Sequence, residues 1–97
     1  KNSSLANYRI GEIFFLQKNY QSAANAFRDT LRGDGDPKWT EVWSHIKLGN
    51  IFDVTGQRDR AVNEYRLAIQ TNDNTQGAIN EARARMASPY KREKTDE

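Results

Sequence analysis

Seven residues of this chain return 38 positions later in the same or a closely similar type. Gly11 returns as Gly49, Ile13 as Ile51, Phe14 as Phe52, Ala23 as Ala61, Asn25 as Asn63, Phe27 as Tyr65 and Arg28 as Arg66. Repetition at a fixed offset of this size is the mark of stacked supersecondary units, each too small to bury its apolar face alone. It predicts an all-α fold, an antiparallel helix-hairpin solenoid, and it points to binding rather than catalysis.

Helical periodicity runs through the chain, and no stretch alternates as a half-buried strand does. Five helices are expected. The first spans about Ser4 to Gln17 with Leu5, Ile10, Ile13 and Phe14 as buried candidates. The second spans about Tyr20 to Arg32, with Ala23, Ala24, Phe27 and Leu31 at helical spacing. Between them Lys18-Asn19 forms a tight turn in which Asn is suited to a left-handed backbone. Gly33-Asp34-Gly35-Asp36-Pro37 is the strongest break; Asp36 is placed to cap the third helix and Pro37 to open it. That helix runs to about Val54 and is closed by Gly56. A fourth, from about Arg58 to Thr71, presents Ala61, Val62, Tyr65, Ala68 and Ile69. The capping-rich run Asn72-Asp73-Asn74-Thr75 then starts a fifth, with Ile79, Ala82 and Met86 on one face, ended by Ser88-Pro89.

Ninety-seven residues support one core and one domain. The expected boundaries are 1–90 for the helical domain and 91–97 for a charged, solvated tail. Within the domain, one unit covers about 4–36, a second about 37–74, and a capping helix about 75–87. With no Cys, neither a disulfide framework nor a Cys-based metal site is available. The longest apolar run, Ile13-Phe14-Phe15-Leu16, is far short of the roughly 20 residues of a membrane span, so no membrane insertion is expected. Fifteen basic and thirteen acidic residues are interspersed and leave a net charge of +2. Nucleic acid usually demands a clustered basic face, and none is expected as a partner. Lys1 at the start, where Met would open a reading frame, reads as a processed or excised chain.

Spacing also weighs against catalytic and metal chemistry. His45 is the only histidine. One His without Cys makes a poor zinc site, and Ser44 beside it on a helix points elsewhere, so the two cannot act as nucleophile and base. Glu41, four residues before His45, is its expected partner. Asp34-Gly35-Asp36 opens like a calcium loop but runs into a helix instead of to a distant glutamate. Gly11 and Gly49 stand alone inside helices, unlike the clustered glycines of a phosphate loop, and are expected to be packing residues. No catalytic residue, metal or cofactor is expected. Trp39, Trp43, Ile46, Lys47, Asn50 and Asp53 follow one another at three- and four-residue steps on the third helix. They line a groove, or the two tryptophans cover core beneath the preceding loop.

The repeated pattern resembles the tetratricopeptide repeat, W-x2-L-G-x2-Y followed by A-x3-F and P. In the second copy that pattern falls on His45, Leu48, Gly49, Phe52, Ala61, Tyr65 and Asp73. In the first it falls on Asn7, Ile10, Gly11, Phe14, Ala23, Phe27 and Gly35. The large Trp and closing Pro are missing from both copies. The 38-residue offset exceeds the usual period of about 34, which places about four extra residues most simply between Gly33 and Trp39. The resemblance implies two such repeats plus a cap, in which the first helix of each pair lines a concave groove. Carried over, partner-binding residues would be Tyr8, Glu12 and Phe15 from the first pair, and Trp43, Ile46, Asn50 and Asp53 from the second. The partner would be a protein or peptide; the alternative is a structural or oligomerisation segment of a larger repeat protein, with a homo-oligomer among its forms. The stretch YRIGEIFFLQKNYQSAANAFRDTL is also similar to the corresponding domain of bacterial periplasmic proteins that accompany the Tol-Pal system and outer-membrane assembly. That likeness leans the expected location toward a bacterial periplasm or envelope, with cytoplasm the other reading.

Overall fold

A computed structural model describes residues 2–92. The helices are α1 (Ser4–Leu16), α2 (Tyr20–Arg32), α3 (Trp39–Val54), α4 (Arg58–Gln70) and α5 (Ala78–Ala87), with a 3-10 turn, Thr75–Gly77, ahead of the last. Each helix packs on the next as an antiparallel neighbour, while α1 also touches α3 and α3 touches α5. The odd-numbered helices therefore form one layer and the even-numbered helices lie behind it.

The two glycines of the repeat set the intimacy of the pairs. A Cβ on Gly11 would lie 2.7 Å from Phe27 Cε1, and a Cβ on Gly49 would overlap the Tyr65 ring. Phe27 and Tyr65 are buried completely, beside Ala23 and Ala61. Small residues on one helix thus make room for an aromatic ring on the other. The same lock occurs in both pairs.

Helix α1 is rotated relative to the expected face. Its inward residues are Ser4, Tyr8, Gly11 and Phe15, at steps of four, three and four. Ile10 and Ile13 lie outside, and so does Leu31 on α2. Apolar character alone misled here, because the positions opposite α2 and α3 are decided by which face carries the glycine. Tyr8 sits where three elements meet: its ring is edge-on to Phe27 at 5.5 Å and to Trp39 at 5.2 Å. Burial, then the Glu12 charge, pushes its phenol pKa up.

The turns differ from expectation in detail. Lys18, not Asn19, takes the left-handed backbone at φ 61°. Asp36 does not cap α3, whose start carries no side-chain cap, and the Asp36–Pro37 peptide is cis. Asp34 does the work instead. Its Oδ1 accepts the backbone N–H of Asp36 at 3.0 Å and of Ser4 at 3.1 Å, while Ser4 Oγ donates to the Thr30 carbonyl at 2.8 Å. The loop is thereby pinned to the start of α1. Likewise Asp73 accepts the Thr75 hydroxyl at 2.6 Å and its N–H at 2.9 Å, and Asn74 Oδ1 accepts Ile79 N–H at 2.8 Å.

These bonds hold both aspartates below the ordinary carboxylate range, Asp34 through the Asp36 and Ser4 amides and Asp73 through Thr75. A depressed folded-state pKa contributes stability above the unfolded value near 3.8 and loses it as pH falls through the folded value. Asp34→Asn combined with Asp73→Asn should therefore shrink the drop in melting temperature between about pH 6 and about pH 2.5. An acid drop equal to that of the parent would show that neither carboxylate carries it.

His45 is held across the pair rather than along its helix: its Nδ1 lies 2.9 Å from Glu64 Oε1 on α4, not on Glu41. The chain end also departs from a fully solvated tail. Lys91 is exposed, but the Arg92 guanidinium lies 5.1 Å from the Phe15 ring centre and donates to the Phe15 carbonyl at 3.0 Å. A cation at the C-terminal end of α1 is favoured by the helix dipole. Residues 93–97 of the expected tail lie outside the described residues.

Candidate functional site

Across the odd-helix layer runs a groove made of two adjoining clefts. One, of about 240 Å³, is lined by Tyr8, Arg9 and Glu12 of α1, Trp39, Trp43 and Lys47 of α3, and Thr75 and Gln76. The other, of about 480 Å³, lies toward the C-terminal end of α1, with Ile13, Phe15, Leu16, Tyr90 and Arg92 in its walls. Arg9, Glu12 and Lys47 border both, so the two clefts adjoin along these side chains.

Each groove side chain is placed by packing beneath it. Trp43 donates its indole N–H to the Thr75 carbonyl at 3.0 Å, which ties α3 to the turn before α5 and holds the ring as a half-buried wall. Trp39 leans on Tyr8, and the Arg9 guanidinium stands 5.6 Å from its ring centre. Arg9 also bonds Glu12 at 2.9 Å, an exposed pair that adds little stability but orients both groups. Lys47 is half-buried, its ammonium 5.9 Å from the Phe15 ring centre. Burial lowers its pKa, opposed by the charges of Glu12 and Glu81. Tyr90 packs on Phe15 with ring centres 6.1 Å apart, and Arg85 stacks over Tyr90 at 5.6 Å.

Of the seven residues expected to bind a partner, only Glu12 and Trp43 present side chains to the groove as working surface. Tyr8 and Phe15 touch it from below and belong to the core, and Ile46 and Asn50 are buried. The correction for Asp53 is the largest. Its side chain is 1% exposed and is bonded by both oxygens to Arg58 Nη1 at 3.1 Å. Oδ2 also accepts the Tyr90 N–H at 3.0 Å and lies 2.8 Å from the Tyr65 hydroxyl, which is 3.0 Å from Asn50 Oδ1. Burial, then the bond to Asp53 and its charge, raise the Tyr65 pKa. Arg58 Nη2 meanwhile donates to the carbonyls of Arg85 and Met86, each at 2.8 Å. Asp53 and Asn50 therefore staple α3, α4 and the end of α5 together. A helical step places a residue on a face, but only neighbouring helices decide whether that face meets solvent.

Sequence reasoning passed over Arg9, Gln76, Tyr90 and Arg92, and left Lys47 out of the binding set. A signal for two of them was present: Arg9 and Lys47 are themselves 38 residues apart, a basic side chain at one repeat position facing one groove. Tyr90 and Arg92 follow the last helix and carried no periodic signal.

Among the described residues, no three His, Asp or Glu side chains converge as metal ligands would, and no helix is long and apolar enough to cross a membrane. Compared with protein-family models, with curated proteins and with solved structures, the chain matches none.

Proposed function

We propose that this domain is a noncatalytic interaction module of the tetratricopeptide kind, in which an extended segment of a protein partner lies along the α1–α3 groove. The observation that carries this reading is a pair of adjoining clefts between α1 and α3 that share Arg9, Glu12 and Lys47 in their walls. Two adjoining clefts, one walled by tryptophan and the other by apolar Ile13 and Leu16, suit successive side chains of a peptide better than a compact small molecule. Arg9, Lys47 and Arg92 outnumber Glu12 on their walls, so the partner segment should carry acidic side chains beside an apolar or aromatic anchor. The repeated Gly-on-aromatic lock and the odd-helix layer support the family reading, since both follow from a helix pair used twice.

Peptides selected from a displayed library on the folded chain provide the test. Trp43→Ala should weaken a selected acidic peptide by about 2 kcal/mol, roughly 30-fold, as loss of an interface anchor does. Arg66→Ala, on the even-helix layer, should leave affinity unchanged. Circular dichroism checks that both variants fold. Peptides that bind the Trp43 variant normally would place the partner on another surface.

A further inference from the structure

Among the described lysines, Lys47 alone is taken partly out of water. Lys18, Lys38 and Lys91 are exposed, whereas Lys47 is half-buried on α3 and borders both clefts. Among the described residues its ammonium has no hydrogen-bond or ion-pair partner, and what it faces is the Phe15 ring, 5.9 Å away. The charged and titratable groups around it are Tyr8, Arg9 and Glu12 on α1, Glu81 on α5, and Tyr90 and Arg92 beyond α5. Both carboxylates in that set are already taken: Glu12 pairs with Arg9 at 2.9 Å and Glu81 with Arg85 at 2.8 Å.

An ammonium that loses water and gains no counterion gives up its proton more readily. Burial therefore outweighs the opposing charges of Glu12 and Glu81. The neutral amine is the nucleophile, and a lysine set against an apolar wall near other cations is the kind that attacks carbonyl carbon. The clefts also say which electrophile suits it. Arg9 stands beside Lys47 in both, and Arg92 joins them in the larger. Guanidinium groups next to an amine favour a donor that carries phosphate.

We propose that Lys47 is a modification site, acylated at Nζ by small acyl phosphates whose phosphate is held by Arg9. The Nζ lone pair forms a bond to the acyl carbon and the bond from that carbon to the phosphate oxygen breaks. Phosphate leaves with the electron pair, and the amine proton passes to water. The product is a neutral amide, so the larger cleft keeps two of its three cations, Arg9 and Arg92. The reactivity of Lys47 does not depend on the groove binding a peptide, and the test uses none.

The probe is acetyl phosphate on the full chain, with acetylation followed residue by residue by mass spectrometry. At about pH 7.5 Lys47 should react at least about five times faster than Lys18, Lys38 or Lys91, because the neutral fraction of an amine rises about tenfold for each unit its pKa falls. Its rate should also level off at a lower pH than theirs. Glu12→Gln removes a charge that holds the proton on Lys47, so it should speed Lys47 further and leave the exposed lysines unchanged. Arg9→Gln should slow acetylation by acetyl phosphate more than acetylation by a neutral succinimidyl ester. Circular dichroism checks that both variants fold. Lys47 reacting no faster than the exposed lysines, or levelling off at the same pH, would overturn the proposal. So would a Glu12→Gln chain in which Lys47 is no more reactive than in the parent. Equal slowing of both donors by Arg9→Gln would overturn the assignment of acyl phosphates as the donor class.

Discussion

Asp53→Ala should cost about 3 kcal/mol of folding stability, the largest loss expected from one polar substitution in this domain. The carboxylate is almost wholly buried and serves Arg58, Tyr65 and the Tyr90 amide at once. Removing it leaves a guanidinium and a phenol facing each other without their acceptor. Breaking a buried ion pair typically costs about 3–5 kcal/mol, and the lower end applies because Arg58 is about one-third open to water, with its side chain 34% exposed. For a chain of this size the melting temperature should fall by roughly 15 °C. Asp53→Asn, which keeps an acceptor but no charge, should fall between the parent and the alanine variant. The damage should also be local in its first appearance. Arg58 holds the carbonyls of Arg85 and Met86, so amide exchange over Ala84 to Ser88 should accelerate before that of α3. A loss under about 1 kcal/mol in denaturant titration would mean that solvent replaces the network, and that Asp53 is no staple.

Gly49→Ala should destabilise by about 2 kcal/mol or more, even though alanine is the better helix former by about 1 kcal/mol. The added Cβ would enter the Tyr65 ring, and that ring has nowhere to go. It is fully buried, and its hydroxyl is tethered to Asn50 and Asp53 at the far end. Gly11→Ala meets Phe27 in the same geometry, but Phe27 has no hydroxyl to tether it, so the first pair should yield more easily and lose less. Tyr65→Leu should partly rescue Gly49→Ala, making the double variant less unstable than the sum of the singles, as expected for groups in direct contact. Additive losses would show that the methyl group is accommodated elsewhere.

Much of this architecture could be read in the chain before it was folded. The 38-residue repeat, the lone glycines opposite Phe27 and Tyr65, and the break at Gly33 to Pro37 define five helices in antiparallel succession, because helical period and backbone-breaking residues act locally. The site was less legible. Trp43 and Glu12 reach the groove as the pattern implied, but Ile46, Asn50 and Asp53 share their helical face and are buried. The difference lies in how deeply α4 and α5 overlap α3, which no period records. Arg92 shows the same limit from the other side: a charge in a charged tail, it is drawn onto Phe15 and the end of α1 by a dipole and an aromatic face that only the folded chain assembles.

The sequence by itself thus determined where helices start and stop, which residues are small enough for close pairing, and that one unit is used twice. Those are consequences of backbone geometry and side-chain size. Tertiary structure decided which of two apolar faces on α1 turned inward, which polar residues of α3 became a buried staple, and which basic residues were left to line a groove. Those outcomes depend on desolvation, and whether a group loses its water is settled by the helix packed over it.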